Sequence, residues 1–536
     1  MPLFVSLTCN MFQKRGPHFY VVFALLIIYL LNGFMAIPRN SVTYDEMDHW
    51  SYGKRILKRQ PQKIYPFDDA SAMPVSGLNA IPRAVEQVFN PALRKKDAGF
   101  SDIMHGRYVT VLVCLLIGLC IYQWSSELFG PKAGIGSLFL FVFCPNLNAH
   151  ASLLTTDAYA ALFTLITLYF FWKFVTASGW KYFILFSFSI ALAQLAKQSL
   201  LHLFILLGVV SLIILVKRKT LISHFKINLL RLVVLKIIVL LVINTGFFFQ
   251  GTGHSLSRYT FHSSSFTTLQ SSFVSGVPLP LPVPFVEGLD MTLYMNELGA
   301  GNPNVSNRNY LLGELRSGTG FWNYYFVVAF FKTPLSILVL LILATALIFY
   351  EGRRLPHFWV ILMLGFSIFY FIFYFSFFNN SQVGIRHILM IYPLLYVLLG
   401  VLTHLRIKNG WTKAGGGTLL LYSIFTFYRF YPNLISYHNE MVRDIHVYRI
   451  MGDSNIDFGQ SVFRYNAYRR KHPDLKVPGP TAKPGRYIVS PDIYTGANDK
   501  YDIRWLSDHF KPDAVFDHCY LIFDIAEKDL EQKGIN

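Results

Sequence analysis

Long apolar stretches recur between residues 18 and 432 and constrain the fold more than any other feature of this sequence. About eleven of them are long enough to cross a bilayer as helices. Hydrophobic residues make up 53% of the chain and charged residues only 15%, which excludes a disordered protein. The sequence therefore predicts an all-α polytopic membrane protein. The predicted spans are 18–37, 107–127, 133–149, 155–174, 182–197, 199–216, 227–249, 324–350, 357–378, 388–405 and 415–432.

The basic residues between the apolar stretches predict the orientation of the spans. They concentrate in alternate short connections, and such connections face the cytoplasm in membrane proteins. The N-terminus is therefore expected inside, and the C-terminal tail and the long loops 38–106 and 250–323 outside. The first apolar stretch is long and lacks a small-residue cleavage site, so we expect a retained helix. The basic connections carry Lys14-Arg15, Lys132, Lys173, Lys181, Lys217-Arg218-Lys219, Arg353-Arg354, Arg406, Lys408 and Lys413.

Net charge limits the possible binding partners, and cysteine content limits the possible disulfides. The formal net charge is +18, but the basic residues lie at span ends and in short connections. We therefore expect them to meet anionic lipid head groups of the bilayer, and we predict no nucleic-acid partner. The chain has five cysteines, mostly in apolar stretches, which predicts no disulfide framework.

The composition becomes that of a soluble protein from about residue 433. Residues 454–470 have helical spacing, and Arg486 to Val489 and Ala514 to Ile525 have the pattern of strands. We predict two domains, a transmembrane domain over 1–432 and a small α/β extracytoplasmic domain over 433–536.

The first outer loop contains two predictable segments. Apolar and basic residues alternate at near-helical spacing from Trp50 to Arg59, which predicts an amphipathic helix at the membrane surface. The following stretch is expected to be irregular because it contains a series of prolines. These prolines are Pro61, Pro66, Pro74 and Pro82.

Two adjacent acids, Asp45 and Glu46, follow the first span immediately. Acidic residues favour the first turn of a helix, so a solvated helix start is one interpretation. A functional role is the other, because the two carboxylates lie where the chain has just left the membrane.

Three more polar residues lie near the outer ends of predicted spans. Asp157 is either a helix cap or part of a polar site. His150 has either a structural role or a role in the same site. Lys197 either extends to water at the interface or lines a functional cavity, since an ionisable residue in an apolar segment is costly to bury. No residue set has the spacing of a metal site, and we predict no cofactor and no metal.

An ordered series of short motifs resembles the GT-C superfamily of membrane glycosyltransferases. The resemblance is closest to glycosyltransferase family 39, which contains the protein O-mannosyltransferases and the lipid A aminoarabinose transferases, and it indicates a bacterial-type member. It covers nearly the whole chain. The motifs are Tyr44-Asp45-Glu46, Arg107, Leu128-Phe129-Gly130, Asn148-Ala149-His150, Thr155-Thr156-Asp157, Ala196-Lys197, residues 310–314, Lys332-Thr333-Pro334, Arg386-His387 and the tail segment 453–460.

The resemblance implies a GT-C fold and an inverting transfer of a hexosyl or pentosyl group from a polyprenyl-phosphate sugar. The acceptor is expected to be a lipid, a glycan or a protein at the outer face of a bacterial inner membrane. Asp45 would be the general base, and Glu46 would orient the acceptor or tune Asp45. Arg107, Lys197, Arg386, His387 and Lys332 would bind the donor phosphate. The remaining predicted residues would line the cavity: Tyr44, His150 and Asp157.

Two other functional classes remain open from the sequence. One is another enzyme acting on lipid-linked sugars, of the O-antigen ligase or polymerase type. The other is a lipid or sugar transporter without enzymatic activity. Transporters commonly place binding residues near the bilayer midplane within two related halves. The sequence shows no internal repeat, and its charged candidates cluster at one predicted membrane face.

Overall fold

The computed structural model describes residues 17–90, 100–177, 179–219, 223–299, 308–405, 410–498 and 501–535. Helices dominate these segments, and a small sheet lies near the C-terminus. This agrees with the predicted fold class. The basic residues Lys14, Arg15, Arg406 and Lys408, which contributed to the predicted orientation, lie outside the described residues.

Ten helices lie between the start of the described chain and residue 246. They are α1 (Pro17–Ala36), α2 (Glu46–Leu57), α3 (Ser76–Phe89), α4 (Phe100–Phe129), α5 (Pro131–Val142), α6 (Pro145–Ala151), α7 (Asp157–Ala177), α8 (Trp180–Ala193), α9 (His202–Lys217) and α10 (Phe225–Gly246).

The second outer loop contains two helices and a hairpin, and further helices follow it. The loop helices are α11 (Ser264–Gln270) and α12 (Val283–Leu298), and the hairpin strands are β1 (Asn309–Leu311) and β2 (Glu314–Arg316). The following helices are α13 (Tyr324–Lys332), α14 (Leu335–Glu351), α15 (Phe358–Phe378), α16 (Ile391–Leu399) and α17 (Gly410–Phe430).

Seven helical segments among the described residues are long and apolar enough to cross a membrane. Three more are apolar but shorter, namely Pro131–Val142, Trp180–Ala193 and Ile391–His404. The chain is thus a multi-pass membrane protein. The seven long segments are His18–Arg39, Asp102–Phe129, Asp157–Ala177, Gln198–Lys217, Phe225–Gly246, Leu335–Arg354 and Phe358–Phe378.

Two of the eleven predicted spans are interrupted at a proline. The predicted span 133–149 is divided between α5 and α6, and Cys144 is extended before Pro145. The predicted span 324–350 is divided between α13 and α14, and Thr333 is extended before Pro334. A proline disfavours the helical conformation of the residue before it, so both breaks have a local cause.

The first outer loop is more regular than its prolines suggested. The predicted amphipathic segment is helical, as α2, but its Trp50 and Tyr52 are buried inside the protein. Pro82 lies within α3, so the predicted irregular stretch is wrong there. Proline has a φ angle compatible with a helix and removes one backbone donor. Helices α2 and α3 pack so closely that a Cβ on Gly53 would lie 2.3 Å from the backbone oxygen of Ser76.

The C-terminal tail contains helices and a four-stranded sheet. The tail elements are α18 (Val462–Lys471), β3 (Leu475–Lys476), β4 (Gly485–Val489), α19 (Pro491–Tyr494), α20 (Arg504–His509), β5 (Ala514–Phe516), β6 (Tyr520–Ile525) and α21 (Glu527–Gln532). The strand order in the sheet is β3-β4-β6-β5. Strands were predicted where β4, β5 and β6 lie.

One large apolar core joins the tail to the membrane helices. It includes Tyr29 and Trp124 from the first helices, Tyr392 from α16, and Ile456 and Ile522 from the tail. The tail therefore packs onto the membrane helices, and the division into two domains at residue 433 stays a prediction.

Candidate active site

Glu46 and Arg107 form a completely buried ion pair at the base of the first outer loop. Both side chains are 0% exposed. Arg107 Nε donates to Glu46 Oε1 at 2.7 Å, and Arg107 Nη2 donates to Glu46 Oε2 at 2.6 Å. The carboxylate also accepts the backbone N–H groups of Thr43 and Leu154, each at 2.8 Å. This pair fixes the start of α2 against α4 and the chain before α7.

The remaining donors of Arg107 all reach backbone carbonyls. Nη1 donates to Ile37 O at 3.2 Å and Asn40 O at 2.8 Å, and Nη2 donates to Ser41 O at 2.6 Å. A guanidinium has five N–H donors, and these contacts together with Glu46 use all of them. The geometry therefore argues against the predicted contact of Arg107 with a donor phosphate, and it assigns Glu46 no free oxygen for an acceptor.

Asp45 has a different environment from its neighbour. It precedes the first residue of α2, but its side chain makes no capping hydrogen bond. Instead Oδ2 accepts a hydrogen bond from Arg386 Nη1, and the two residues are 341 positions apart in sequence. The Asp45 side chain is 31% exposed, so its carboxylate is accessible to a ligand. A helix-start role does not explain this position.

A segment of the tail, residues 453–460, holds both partners of this pair. Tyr44 N donates to Phe458 O at 3.2 Å, which fixes the residue before Asp45. On the other side, Ile385 N donates to Asn455 Oδ1 at 2.9 Å, which fixes the residue before Arg386. The Arg386 guanidinium also lies 4.6 Å from the centre of the Phe458 ring. The structure thus gives this segment a positioning role that its sequence did not indicate.

Asp157 and Lys197 form a second ion pair. Lys197 Nζ lies 2.5 Å from Asp157 Oδ1, and the side chains are 15% and 5% exposed. Asp157 is the first residue of α7, and Lys197 follows α8. Asp157 also interacts electrostatically with Arg386, so the two ion pairs belong to one polar site. The two pairs contain two cations and two carboxylates, whose formal charges balance.

Three histidines surround these pairs, of which His49 and His150 are buried and His387 is half-buried. Burial, assisted by the neighbouring cations and opposed by the charge of Asp157, lowers the pKa of His150 to about 4. Burial also lowers the pKa of His387, assisted by Lys197 and Arg386. Its Nδ1 lies 3.2 Å from the Tyr325 hydroxyl. Both imidazoles are therefore neutral at pH 7.

The third histidine, His49, was not among the predicted site residues. It is 3% exposed, and its Nδ1 has no hydrogen-bond partner among the described residues. Burial lowers its pKa, and the charges of both ion pairs act on it. His49 lies four residues after Asp45, which places the two residues one helical turn apart at the start of α2. That spacing was the available signal in the sequence.

The last two predicted residues lie at the margins of the site. Lys332 is 1% exposed, and its Nζ donates to Ile435 O at 2.5 Å and Asn455 O at 2.7 Å. These contacts anchor the tail and argue against the predicted phosphate contact. Tyr44 is 74% exposed, and its ring centre lies 6.3 Å from that of Phe458. It borders the opening of the site.

The tail adds carboxylates to the same region. Asp453 N donates to Asp492 Oδ1 at 2.7 Å, and Asp453 interacts electrostatically with Arg386 and Asp45. Burial and the charge of Asp453 raise the pKa of Asp492 to about 8. Within the described ranges, no group of three or more His, Cys, Asp or Glu side chains has the arrangement of a metal site.

Residues 98–243 match the family model described as dolichyl-phosphate-mannose-protein mannosyltransferase. This match supports a glycosyltransferase of the GT-C superfamily. It confirms the resemblance predicted from the motifs at the superfamily level. The matched segment contains Arg107, His150, Asp157 and Lys197. No curated protein sequence matches the chain.

Three solved structures are similar to the chain. ArnT from Cupriavidus metallidurans bound to undecaprenyl phosphate is 14% identical, with a TM-score of 0.48 over 95% of this chain and 98% of ArnT. The apo oligosaccharyltransferase of Archaeoglobus fulgidus is 12% identical, with a TM-score of 0.48 over 81% of this chain and 58% of that chain. AglB from the same organism, in complex with an inhibitory peptide and a dolichol-phosphate, is 13% identical, with a TM-score of 0.47 over 85% of this chain and 60% of that chain.

Proposed function

We propose that the protein transfers a sugar from a polyprenyl-phosphate donor to a hydroxyl acceptor, with Asp45 as the general base. One observation carries this proposal. The accessible Asp45 carboxylate pairs with Arg386 beside a second cation and two neutral histidines. The family that matches residues 98–243 is named for a sugar on an isoprenoid phosphate, which supports the donor class. A donor of this kind requires an enzyme embedded in the membrane that carries it.

Arg386 and Lys197 are the residues that we propose to bind the donor phosphate. Arg386 is suited to phosphate because its planar guanidinium can donate two parallel hydrogen bonds. Each cation is already paired with a carboxylate. The arriving phosphate therefore competes with Asp45 and Asp157 for the two cations. We propose that this competition releases Asp45 from Arg386 when the donor binds, and thereby couples donor binding to activation of the base.

The transfer step then involves the acceptor hydroxyl, the donor sugar phosphate, Asp45 and the two cations. The acceptor oxygen attacks the anomeric carbon while the bond from that carbon to the phosphate oxygen breaks, and the acceptor proton passes to Asp45. The leaving phosphate gains negative charge, which Arg386 and Lys197 stabilise more strongly in the transition state than in the ground state. Attack opposite the leaving group inverts the anomeric configuration. His49, His150 and His387 contribute polar, uncharged walls.

We assign structural roles to the other predicted residues. Glu46 and Arg107 hold the first outer loop, and Lys332 holds the tail. Tyr44 borders the acceptor side of the opening. We further propose that the N-terminus is cytoplasmic and that the site opens to the periplasm of a bacterial inner membrane. This orientation is supported by the basic connections at the opposite ends of the spans.

The test is transfer of a radiolabelled sugar from a panel of polyprenyl-phosphate donors to a membrane lipid extract. Purified wild-type protein is expected to transfer sugar from at least one donor. The Asp45→Asn variant should lose activity by roughly 10²- to 10⁴-fold, the usual contribution of a general base. Asp474→Asn is the matched control, because Asp474 forms an exposed ion pair with Arg486 in the tail. Equal transfer by wild type and Asp45→Asn would overturn the proposal.

A further inference from the structure

A second cavity, separate from the polar site, lies between helices α7, α8, α9 and α10. Its volume is about 680 Å³, which is within the range of small-molecule sites. The walls are apolar and strongly aromatic. The aromatic side chains are Phe171, Phe174, Phe183, Phe186 and Phe204.

The basic end of this cavity is remote from the polar site. Asp157 begins α7, and Phe174 lines the cavity near the end of the same helix. Seventeen residues of α-helix separate them, which corresponds to about 25 Å. This end of the cavity is therefore close to the opposite face of the membrane, and the cavity extends from it along α9 as far as Phe204.

Basic side chains lie at the mouth of the cavity. Arg218, His224 and Arg231 are among its lining residues. The Arg231 guanidinium lies 5.1 Å from the centre of the Phe174 ring. Its Nε is buried and has no hydrogen-bond partner among the described residues. Arg218 donates from Nη1 only to the carbonyl of Val175, at 3.3 Å, among the hydrogen bonds in the described part of the chain.

The sequence around the cavity contains no counter-ion for these cations. Between Asp157 and Glu287 there is not a single Asp or Glu, and all four cavity helices lie in this interval apart from the first residue of α7. A basic mouth with a donor left unpaired favours an anionic ligand. The apolar interior favours a ligand that also carries a hydrocarbon chain.

We propose that this cavity binds an anionic glycerophospholipid from the surrounding bilayer. One acyl chain lies between the phenylalanines, and the head-group phosphate binds Arg231 and Arg218. Phe204 and Arg218 line one side of the cavity and are fourteen residues apart, which corresponds to about 21 Å along α9. A cavity of this length accommodates much of an acyl chain. Burial of the chain gives little preference over bulk lipid, since both environments are apolar. Selectivity therefore comes from the charge of the head group.

The experiment measures the thermal stability of the full-length protein in detergent while lipid is added. Phosphatidylglycerol and phosphatidylcholine with identical chains are compared, and soluble glycerol phosphate serves as the head group without chains. Wild type should be stabilised by phosphatidylglycerol and not by the other two. Arg231→Gln should weaken the apparent affinity for phosphatidylglycerol by roughly tenfold, the effect of losing one hydrogen bond to a charged group.

Two further variants distinguish binding of the acyl chain from binding of the head-group charge. Gly208 lines the cavity, and a Cβ there would meet no atom within 4 Å, so Gly208→Leu should fill the cavity and abolish stabilisation without changing charge. Lys181→Gln changes an exposed cation outside the lining and should have no effect. Equal stabilisation by both lipids, stabilisation by glycerol phosphate alone, or an unchanged response of Gly208→Leu would overturn the proposal.

Discussion

At the scale of single residues, Asp45 and Glu46 are neighbours with opposite environments. The Asp45 side chain is 31% exposed and faces the site, whereas the Glu46 side chain is 0% exposed and binds Arg107. Both lie at the start of α2, where successive side chains point in different directions. In the sequence the two acids form one motif, but in the structure their carboxylates have different environments and different partners.

Removal of the Glu46 charge should destabilise the protein. Glu46→Gln leaves Arg107 as a buried cation without its counter-ion, and breaking such a pair costs about 3–5 kcal/mol of unfolding free energy. Glu86→Gln is the control, since Glu86 is 43% exposed in its ion pair with Arg83 and should cost at most about 1 kcal/mol. Thermal unfolding in detergent compares the two. Similar losses in both variants would contradict the structural role of Glu46.

Asp492 should make stability depend on pH. Burial and Asp453 raise its pKa to about 8, whereas an unfolded chain releases the same proton near pH 4. The folded protein then holds a proton that the unfolded chain has lost, so this residue makes stability fall as pH rises from about 4 to about 8. Asp492→Asn mimics the neutral carboxyl group and should flatten that part of the profile of melting temperature against pH. An unaltered profile would show that Asp492 is ionised in the folded protein.

The sequence predicted individual polar residues for the site, but it did not predict which of them form ion pairs with each other. Asp45, Lys197, Arg386 and His387 were all predicted to be in the site, and the structure places them together. Their pairing was not predictable, because Asp45 and Arg386 are 341 positions apart and meet only through the fold. His49 was missed because its one available signal, the spacing of four residues from Asp45, is shared by any two residues on one helix face.

At the scale of elements, prolines explain where the predicted spans and the structure differ. The breaks before Pro145 and Pro334 follow from a rule that applies to sequence alone, so both were predictable in principle. Pro82 lies inside α3, where the packing of α2 and α3 decides the outcome. The long apolar stretches indicated the helices but not their length, since some apolar helices are shorter than a membrane span.

The close contact of α2 and α3 should be sensitive to a single methyl group. In Gly53→Ala, the new Cβ would lie 2.3 Å from the Ser76 backbone oxygen, so α2 must shift together with Asp45 and His49. We expect both a lower melting temperature and reduced transfer, with about 1–3 kcal/mol of strain. Gly136→Ala, in α5, is the control because its Cβ would meet nothing within 4 Å. If Gly53→Ala behaved like Gly136→Ala, this contact would not position the site.

At the scale of the whole molecule, the tail completes the site. Its segment 453–460 contacts the loop before α2 and the loop before α16, and both loops carry site residues. The sequence predicted strands in the tail because β4 and β6 have a regular apolar pattern. It could not predict the docking of the tail, since contacts between distant segments leave no local pattern.

The proposed orientation predicts which surface residues are accessible from outside the cell. Lys528→Cys in α21 should react with a membrane-impermeant maleimide in cells with a permeabilised outer membrane. Lys181→Cys, at the start of α8, should react only after the inner membrane is broken. Both lysines are exposed, and Cys114, Cys144 and Cys519 are buried. Cys9 and the half-buried Cys120 are replaced by serine in both variants to limit background labelling. The reverse pattern would invert the assigned orientation.

Donor binding and sugar transfer, measured separately for Asp45→Asn and Arg386→Gln, test the central claim most directly. The account predicts that Asp45→Asn binds the polyprenyl-phosphate sugar as tightly as wild type or more tightly, because Arg386 is freed for the phosphate, yet transfers almost nothing. Arg386→Gln should bind the donor roughly tenfold more weakly or worse, since a charge-assisted contact is lost. If Asp45→Asn instead lost donor binding and kept its transfer rate at saturating donor, Asp45 would be a binding residue and the proposed mechanism would be wrong.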